Sequence, residues 1–211
     1  VSLAEVPRLQ SVGSQLRTLH LHGNALTSLE SLARLCPKLE ELVVSSNEIE
    51  SLDGITELKD LKLLDMSCNR LTDLNGLHGL QSLEVLSLAY NRIGALDELM
   101  GLWGNSSQLR RLDLRDNVVS AVSELLFLCG LCSLEELRMH TQHGRRTNPV
   151  CLCDGYRRAA LFAAPDLSML DDSGVSDSER EAALSLKFGD LPRWPREAAT
   201  SRSNKGSKPV G

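Results

Sequence analysis

The chain has 211 residues, of which 42% are apolar but only 3% aromatic, and its formal net charge is −5. No run of 18 apolar residues occurs and no basic-then-apolar pattern opens the chain, so the sequence predicts neither a membrane span nor a signal peptide. From residue 192 onward five basic residues stand against one acidic residue, a charge of +4, which leaves −9 on the rest. Such an acidic body argues against a nucleic-acid groove, which requires clustered positive charge.

The stretch from Leu61 to Ser82 is one copy of a sequence repeat that accounts for most of the chain. Leu64 and Met66 alternate with outward-facing residues as in a short strand, and after Asn69 apolar residues recur every three, as in 3₁₀ turns. The same frame begins at Leu16, Leu39, Leu61, Leu83, Leu109 and Leu134, with gaps of 23, 22, 22, 26 and 25 residues. This is the pattern LxxLxLxxNxL of leucine-rich repeats.

The repeats predict an α/β fold: a right-handed solenoid with a parallel β-sheet on its concave face. The convex face is expected to carry 3₁₀ or α turns, and a helical cap is expected at the C-terminal end. No thick aromatic core is needed, because each coil buries its leucines against the next coil.

An asparagine stands eight residues after each of the first five repeat starts. A buried primary amide offers donors and an acceptor, so it can bond both its own loop and the neighbouring coil. These residues are predicted to be structural and not catalytic. Because position 142 is Gln142, the sequence predicts that the ladder ends with the fifth member. The ladder comprises Asn24, Asn47, Asn69, Asn91 and Asn117.

Taken in order, residues 1–15 are predicted to form an N-terminal half-repeat, with Leu9 and Val12 covering the first coil. Residues 16–147 hold the repeats. The fourth repeat is enlarged by a turn-rich insertion, Trp103–Ser107. In the fifth repeat, the dense apolar run Leu125–Leu128 predicts an α-helical turn on the convex side.

Residues 148–175 are predicted to cap the open end of the stack. A short helix is expected from Tyr156, with Asp154 as its N-cap and Pro165 ending it. A last extended coil then closes on Asp171.

Residues 176–189 are predicted to form one more helix. Ser176 and Glu179 have the spacing of a capping box, and the helix is expected to run to about Phe188, with Gly189 as its stop. Residues 190–211 are expected to be a flexible tail. Because the sequence begins without Met and ends without a structural stop, we expect it to be a piece of a longer protein.

Six cysteines invite two alternatives, which the sequence disfavours. Cys129 and Cys132, with Cys151 and Cys153, resemble a zinc site in outline, but the first pair lies on the outer segment of a coil and the second beyond the last repeat strand. The disulfide cap of secreted repeat proteins needs two further cysteines downstream, and none follows. Small buried apolar thiols and a reducing, intracellular compartment are the favoured interpretation.

Outward-facing residues flank each pair of core leucines on the concave side, and the middle of this surface is unusually apolar. Val43, Leu63 and Val85 stand where packing permits polar residues, with small side chains beside them and arginines at one flank. This pattern favours a groove for a peptide or helix of a protein partner. The simpler interpretation is that β-branched residues suit strands. The predicted contact residues are Val43, Leu63, Asp65, Val85, Ser87, Ala89, Tyr90, Arg111, Asp113, Arg115 and Arg138.

No catalytic or cofactor-binding constellation accompanies this groove. His20, His22 and His140 are also placed on the concave face, but no acid or cysteine adjoins the first two in their own coil. No Ser/His/Asp order, glycine-rich phosphate loop or pair of buried carboxylates stands at a meaningful spacing. The sequence therefore predicts a protein that is not an enzyme and that needs no cofactor or metal.

Several stretches resemble those of intracellular leucine-rich-repeat proteins with 22-residue repeats and a dedicated C-terminal cap. Within this class the chain is similar to the leucine-rich-repeat and coiled-coil centrosomal, or variable-flagella-number, family over Leu9–Asp172. The resemblance rests on Leu9–Val12, Asp65–Asn69, the enlarged fourth repeat, Asn148–Cys151 and Gly155–Arg157. It implies a non-catalytic module of a centriole or basal-body protein, in the cytoplasm at the cytoskeleton, with a coiled coil in the parent protein.

The resemblance leaves one alternative from another functional class. Other members of the wider class regulate enzymes or motors, such as a phosphatase or an axonemal dynein. The expected partner is a protein in either case, and a centriolar or microtubule-associated one under the first interpretation. No membrane and no nucleic acid are expected as partners, and the acidic body disfavours a role in an RNA–protein assembly.

Overall fold

The computed structural model describes residues 3–6, 13–104, 107–141 and 147–186. Within these ranges one sheet holds eight short strands in chain order, parallel throughout except for the last pair. The predicted leucine-rich-repeat solenoid is therefore confirmed. The strands are β1 Thr18–His20, β2 Glu41–Val43, β3 Leu63–Asp65, β4 Val85–Ser87, β5 Arg111–Asp113, β6 Glu136–Arg138, β7 Met169–Leu170 and β8 Ser173–Gly174.

The central residue of each repeat strand is a leucine that packs against the leucine of the next coil. Leu64 is paired in register with Leu42 on one side and Leu86 on the other, and all three are at most 1% exposed. Because a shift of one residue would turn every side chain to the other face, these burials confirm the predicted strand register.

One helix lies before β1, the others between strands or after β8. The α-helices are α1 Leu32–Leu35, α2 Tyr156–Ala163 and α3 Asp177–Leu184. The 3₁₀ helices are Gly13–Gln15, Asp97–Leu102, Val122–Leu128 and Pro149–Leu152. No helix in the described part of the chain is long and apolar enough to cross a membrane.

The prediction of an α-helical turn in the fifth repeat is wrong, because Val122–Leu128 is a 3₁₀ helix. Val122, Leu125 and Leu128 are all buried, and they recur every three residues. A helix with three residues per turn keeps all of them on one side, whereas 3.6 residues per turn would rotate them progressively away from the core.

Asparagine amides join each coil to the one before it, as Asn69 illustrates. Its Oδ1 accepts the backbone N–H of Ile49 at 3.0 Å, and its Nδ2 donates to the carbonyls of Val44 and Met66, each at 3.0 Å. One side chain thus satisfies groups of two coils. Asn47, Asn91 and Asn117 repeat this arrangement, and Asn24 makes its outer bond to the N–H of Leu3.

The prediction that the ladder ends at Asn117 is wrong, because Asn148 occupies the sixth place. This residue is fully buried, and its Oδ1 accepts the N–H of Val119 at 3.0 Å. Its Nδ2 donates to the carbonyls of Leu114 at 2.8 Å and Met139 at 2.9 Å. The asparagine thus comes six residues later in the sequence than the repeat count predicts, at position 148 and not 142, and it makes the same kinds of hydrogen bond.

The cap follows the ladder and covers the open end of the stack. Gly155, not the predicted Asp154, precedes α2 as its N-cap, at φ +84°, a left-handed conformation that glycine adopts without steric cost. The helix ends before Pro165, as expected. Buried Tyr156 donates its hydroxyl hydrogen to Asp171 at 2.9 Å, which ties α2 to the chain just after β7.

The final helix docks on the cap. The Ser176–Glu179 capping box is present, and Ala183 is 1% exposed. The helix ends at Leu184, earlier than predicted, while Phe188 and Gly189 lie outside the described residues, as do Leu9 and Val12 of the predicted N-terminal half-repeat.

Candidate functional site

The concave face presents two columns of side chains, one from the first and one from the third position of each strand. The first column runs through Leu63, Val85, Arg111 and Glu136, and the second through Asp65, Ser87, Asp113 and Arg138. Neighbouring strands lie about 4.8 Å apart, so residues adjacent in a column are adjacent in space. The central leucines between the columns are buried, whereas the column residues are half-buried or exposed.

A depression of about 330 Å³ opens across β3–β6 on this face. Its lining includes six of the predicted contact residues, so the fold brings together side chains that lie up to 75 positions apart, from 63 to 138, in the chain. The lining is Leu63, Val85, Leu86, Ser87, Arg111, Leu112, Asp113, Glu136 and Arg138. The apolar side chains come mainly from β3 and β4, with Leu112 from β5, and all four charged side chains come from β5 and β6.

Most charges at the β5–β6 end are paired with each other. Both carboxylate oxygens of Asp113 accept bonds from Arg115, the shortest at 2.7 Å, and this pairing raises the pKa of the Arg115 guanidinium. Arg138 lies 2.7 Å from Glu136 and 3.0 Å from Asp172. These side chains are held in place before any partner arrives.

Two charged side chains on the face have no ion-pair partner within the described ranges. Arg111 is exposed and stands at the edge of the depression. Asp65 is half-buried, and its Oδ1 accepts the backbone N–H of Ser67 at 3.0 Å and the Ser67 hydroxyl at 2.6 Å. Both charges therefore stay available to an incoming partner.

The remaining predicted contact residues lie outside the depression. Val43 is half-buried on β2, next to Asp65 in the sheet. Tyr90 stands on the rim with φ +59° and 47% exposure. Ala89 is only 2% exposed, so its assignment to the binding surface is wrong. At Ala89 the chain already turns into the loop, where its carbonyl accepts bonds from Cys68 and Asn91.

Two charged residues that the structure places at the site, Glu136 and Asp172, are missing from the predicted contact set. Glu136 lines the depression because it follows Leu63, Val85 and Arg111 in the first column, so the strand register itself was the available signal. Asp172 reaches Arg138 from the cap, and no repeat period points to that contact.

The alternative metal sites gain no support in the part of the chain that the structure describes. His20 bonds Glu41 at 2.8 Å, yet no group of three histidine, cysteine or acidic side chains stands close enough to hold a metal there. The interpretation of the cysteines as buried apolar residues is wrong for three of the six. Cys36 is buried, Cys151 and Cys153 are half-buried, and Cys68, Cys129 and Cys132 are exposed.

Comparison with known proteins defines the class. Family models described as "Leucine rich repeat" and "Leucine Rich repeats (2 copies)" match residues 37–93 and 14–57. Together with the fold, these matches show that the chain carries leucine-rich repeats and is homologous to leucine-rich-repeat-containing proteins.

Three individual proteins illustrate the likeness. Mouse leucine-rich repeat-containing protein 43 is 33% identical over 84% of this chain and 26% of its own length. Mouse leucine-rich repeat-containing protein 36 is 34% identical over 41% of this chain and 14% of its own length. Internalin C2 of Listeria monocytogenes superposes with a TM-score of 0.59 at 29% identity, over 82% of this chain and 69% of that one. The chain thus spans only 26% and 14% of the lengths of the two mouse relatives.

Proposed function

We propose that this chain is a non-catalytic module that binds a protein partner in the depression on its concave face. The observation that carries the proposal is the gathering of Leu63, Val85, Arg111 and Asp113 in one depression with an apolar floor. Protein interfaces combine an apolar centre with polar and arginine-rich surroundings, and repeat solenoids offer this surface without a moving part.

We further propose that the parent protein acts at centrioles or basal bodies, in assembling or positioning cilia. Support comes from the resemblance noted in the sequence, which includes the cap motifs Asn148–Cys151 and Gly155–Arg157. In this proposal the cap completes the stack, and the concave face recruits the module to a cytoskeletal protein in the cytoplasm. Leucine-rich-repeat domains in general mediate protein–protein interactions, which agrees with this role.

The test compares recruitment of the wild-type chain and of the double variant Leu63→Glu/Val85→Glu in ciliated cells. Both side chains are half-buried on the face, so the new carboxylates would remove its apolar centre without entering the core. We expect the wild-type chain to be retained at centrioles after salt extraction and the double variant to be lost. Unchanged thermal unfolding by circular dichroism would show that the variant still folds.

A matched control adds the same two charges away from the concave face. Met100→Glu/Leu184→Glu alters side chains that are 49% and 61% exposed, and it is expected to behave as the wild type. Recruitment of the concave double variant would place the binding site elsewhere. Absence of the wild-type chain from centrioles, with stoichiometric co-purification of a phosphatase or dynein activity that it alters, would favour the regulatory alternative.

A further inference from the structure

We propose, building on the concave binding site above, that the partner segment is an amphipathic helix with a cation and a carboxylate on one face, about seven residues apart. Aliphatic side chains would lie between them. Asp65 and Arg111, the two charges of the face that lack an ion-pair partner among the described residues, determine this pattern. Each would receive the opposite charge of the partner.

The position of the two charges sets the spacing. Asp65 is the third residue of β3 and Arg111 the first residue of β5, so they lie two strands and two residues apart. With strands about 4.8 Å apart and about 3.3 Å per residue, the diagonal between them is about 12 Å. Seven residues of an α-helix rise about 10.5 Å and return to the same face, so positions i and i+7 match this diagonal.

The surface between the charges suits aliphatic side chains. The diagonal crosses β4 between Val85, which is apolar, and Ser87, which is small, and Leu63 stands at its side. A helix places positions i+3 and i+4 there, on the face that also carries i and i+7. Leucine or isoleucine at these positions would fill the floor of the depression.

A helix fits this place better than an extended segment. The strands β2–β6 each have a neighbour on both sides within one sheet, so their backbone groups are already used by other coils. An extended segment across the face would find no strand edge to pair with, whereas a helix satisfies its own backbone hydrogen bonds.

Arg111 is the most accessible cation at the β5–β6 end of the depression. The side chains of Arg115 and Arg138 are 25% and 36% exposed and are paired with Asp113 and Glu136, whereas Arg111 is exposed and has no ion-pair partner among the described residues. A partner carboxylate can therefore pair with Arg111 without first breaking an existing ion pair. Although the chain is acidic overall, charges more than about 8 Å away are largely screened at physiological salt. The Arg111 guanidinium therefore determines whether a partner carboxylate is attracted at this point.

The experiment selects binders from a displayed library of alanine-based helices in which positions i, i+3, i+4 and i+7 vary. The target is the whole 211-residue chain. On the wild type we expect one of the outer positions to become Lys or Arg, the other Asp or Glu, and the inner two aliphatic. On Arg111→Glu both outer positions are expected to become basic. On Asp65→Asn, which keeps the acceptor for Ser67, the preference for a cation is expected to vanish.

The affinities of individual selected helices measure the size of the charge effect. The Arg111→Glu variant turns an attraction into a repulsion, and it is expected to weaken the binding of a wild-type binder about 5- to 30-fold, as estimated from the energies of exposed ion pairs. Arg34→Glu on α1 makes the same change of net charge away from the concave face, and it is expected to leave both selection and affinity as in the wild type.

Each other outcome contradicts one proposal or both. Binders lost on Leu63→Glu/Val85→Glu but with a charge pattern that ignores Arg111→Glu would overturn the charged-helix proposal and leave the concave site standing. A library that yields no binder would overturn the charged-helix proposal alone, whereas binders that ignore the double variant would overturn both.

Discussion

At the scale of single residues, one amide recurs in six consecutive coils and does the same work each time. From Asn47 to Asn148 its Oδ1 accepts a backbone N–H of the previous coil, and its Nδ2 donates to carbonyls of both coils. The loops turn inward at these points, where water is absent and each unpaired backbone group would be costly. Because the ladder pairs these backbone groups, buried leucines can pack right up to the edge of the sheet.

Asn69→Ala tests this role. The substitution leaves the N–H of Ile49 and the carbonyls of Val44 and Met66 without their side-chain partner, so the free energy of unfolding should fall by about 1–3 kcal/mol. Urea unfolding followed by circular dichroism measures the change. Asn75→Ala is the matched control, since Asn75 is exposed and its side chain bonds only Asp73 among described residues. An equal loss in both variants would contradict the proposed role of the ladder.

The ladder also shows where sequence reasoning succeeds and where it stops. A fixed count of eight residues from each repeat start finds five members, but it fails at Asn148 because an insertion of unpredictable length precedes it. A different signal was present, since Asn148 is followed after one residue by Val150, as Asn117 is by Val119. No sequence pattern indicated that Ala89 is buried, because its burial depends on where strand β4 ends and the following loop begins.

At the scale of elements, the sequence predicts those segments whose apolar residues recur at a regular spacing. The strands and the capping box of α3 follow from alternation and from one Ser-x-x-Glu spacing. The choice between 3₁₀ and α in Val122–Leu128 needed the same attention to period, because three-residue recurrence of buried side chains selects the tighter helix. The antiparallel strand β8 and the reach of Asp172 to Arg138 depend on tertiary contacts that no local pattern encodes.

The junction of α2 and α3 should respond to pH through one carboxylate. Hydrogen bonds from Arg157 at 2.5 Å, and then from the backbone and hydroxyl of Ser176, lower the pKa of Glu179 from 4.5 to about 2. A depressed folded-state pKa stabilises the fold above the unfolded-state pKa, and the stabilisation is lost as the pH falls from about 4.5 to about 2.

Thermal unfolding at a series of pH values measures this effect. The difference in midpoint between wild type and Glu179→Gln should be constant from about pH 6 upward and should shrink toward zero near pH 2. Glu181→Gln alters another acid of the same helix that makes no ion pair among the described residues, and its difference should be small throughout. A Glu179→Gln difference that persists undiminished at pH 2 would show that the carboxylate's charge is not what stabilises the junction.

At the scale of the whole molecule, the continuous leucine core predicts that the coils and the cap unfold together. Each coil contacts only its neighbours, yet Leu64 and Leu137 belong to the same cluster of buried side chains, which extends into α2 through Leu161 and into α3 through Ala183. A solenoid with strong contacts between neighbouring coils gains cooperativity from them, because a coil that opens exposes the leucines on both of its sides.

Two substitutions placed three coils apart test this cooperativity. Leu64→Ala and Leu137→Ala each remove a side chain with 0% exposure, and each should lower the free energy of unfolding by about 2–5 kcal/mol through lost contacts and a cavity. Because the sites lie about 14 Å apart, the losses should add in the double variant.

Both single variants should shift one common transition in urea, observed by circular dichroism and by tryptophan fluorescence. Leu63→Ala, at a half-buried neighbouring position, should cost less than Leu64→Ala. Separate transitions, with Leu137→Ala acting on one and Leu64→Ala on the other, would mean that the coil next to the cap unfolds independently of the earlier repeats, so that the concave face would not depend on the capped end of the stack for its shape.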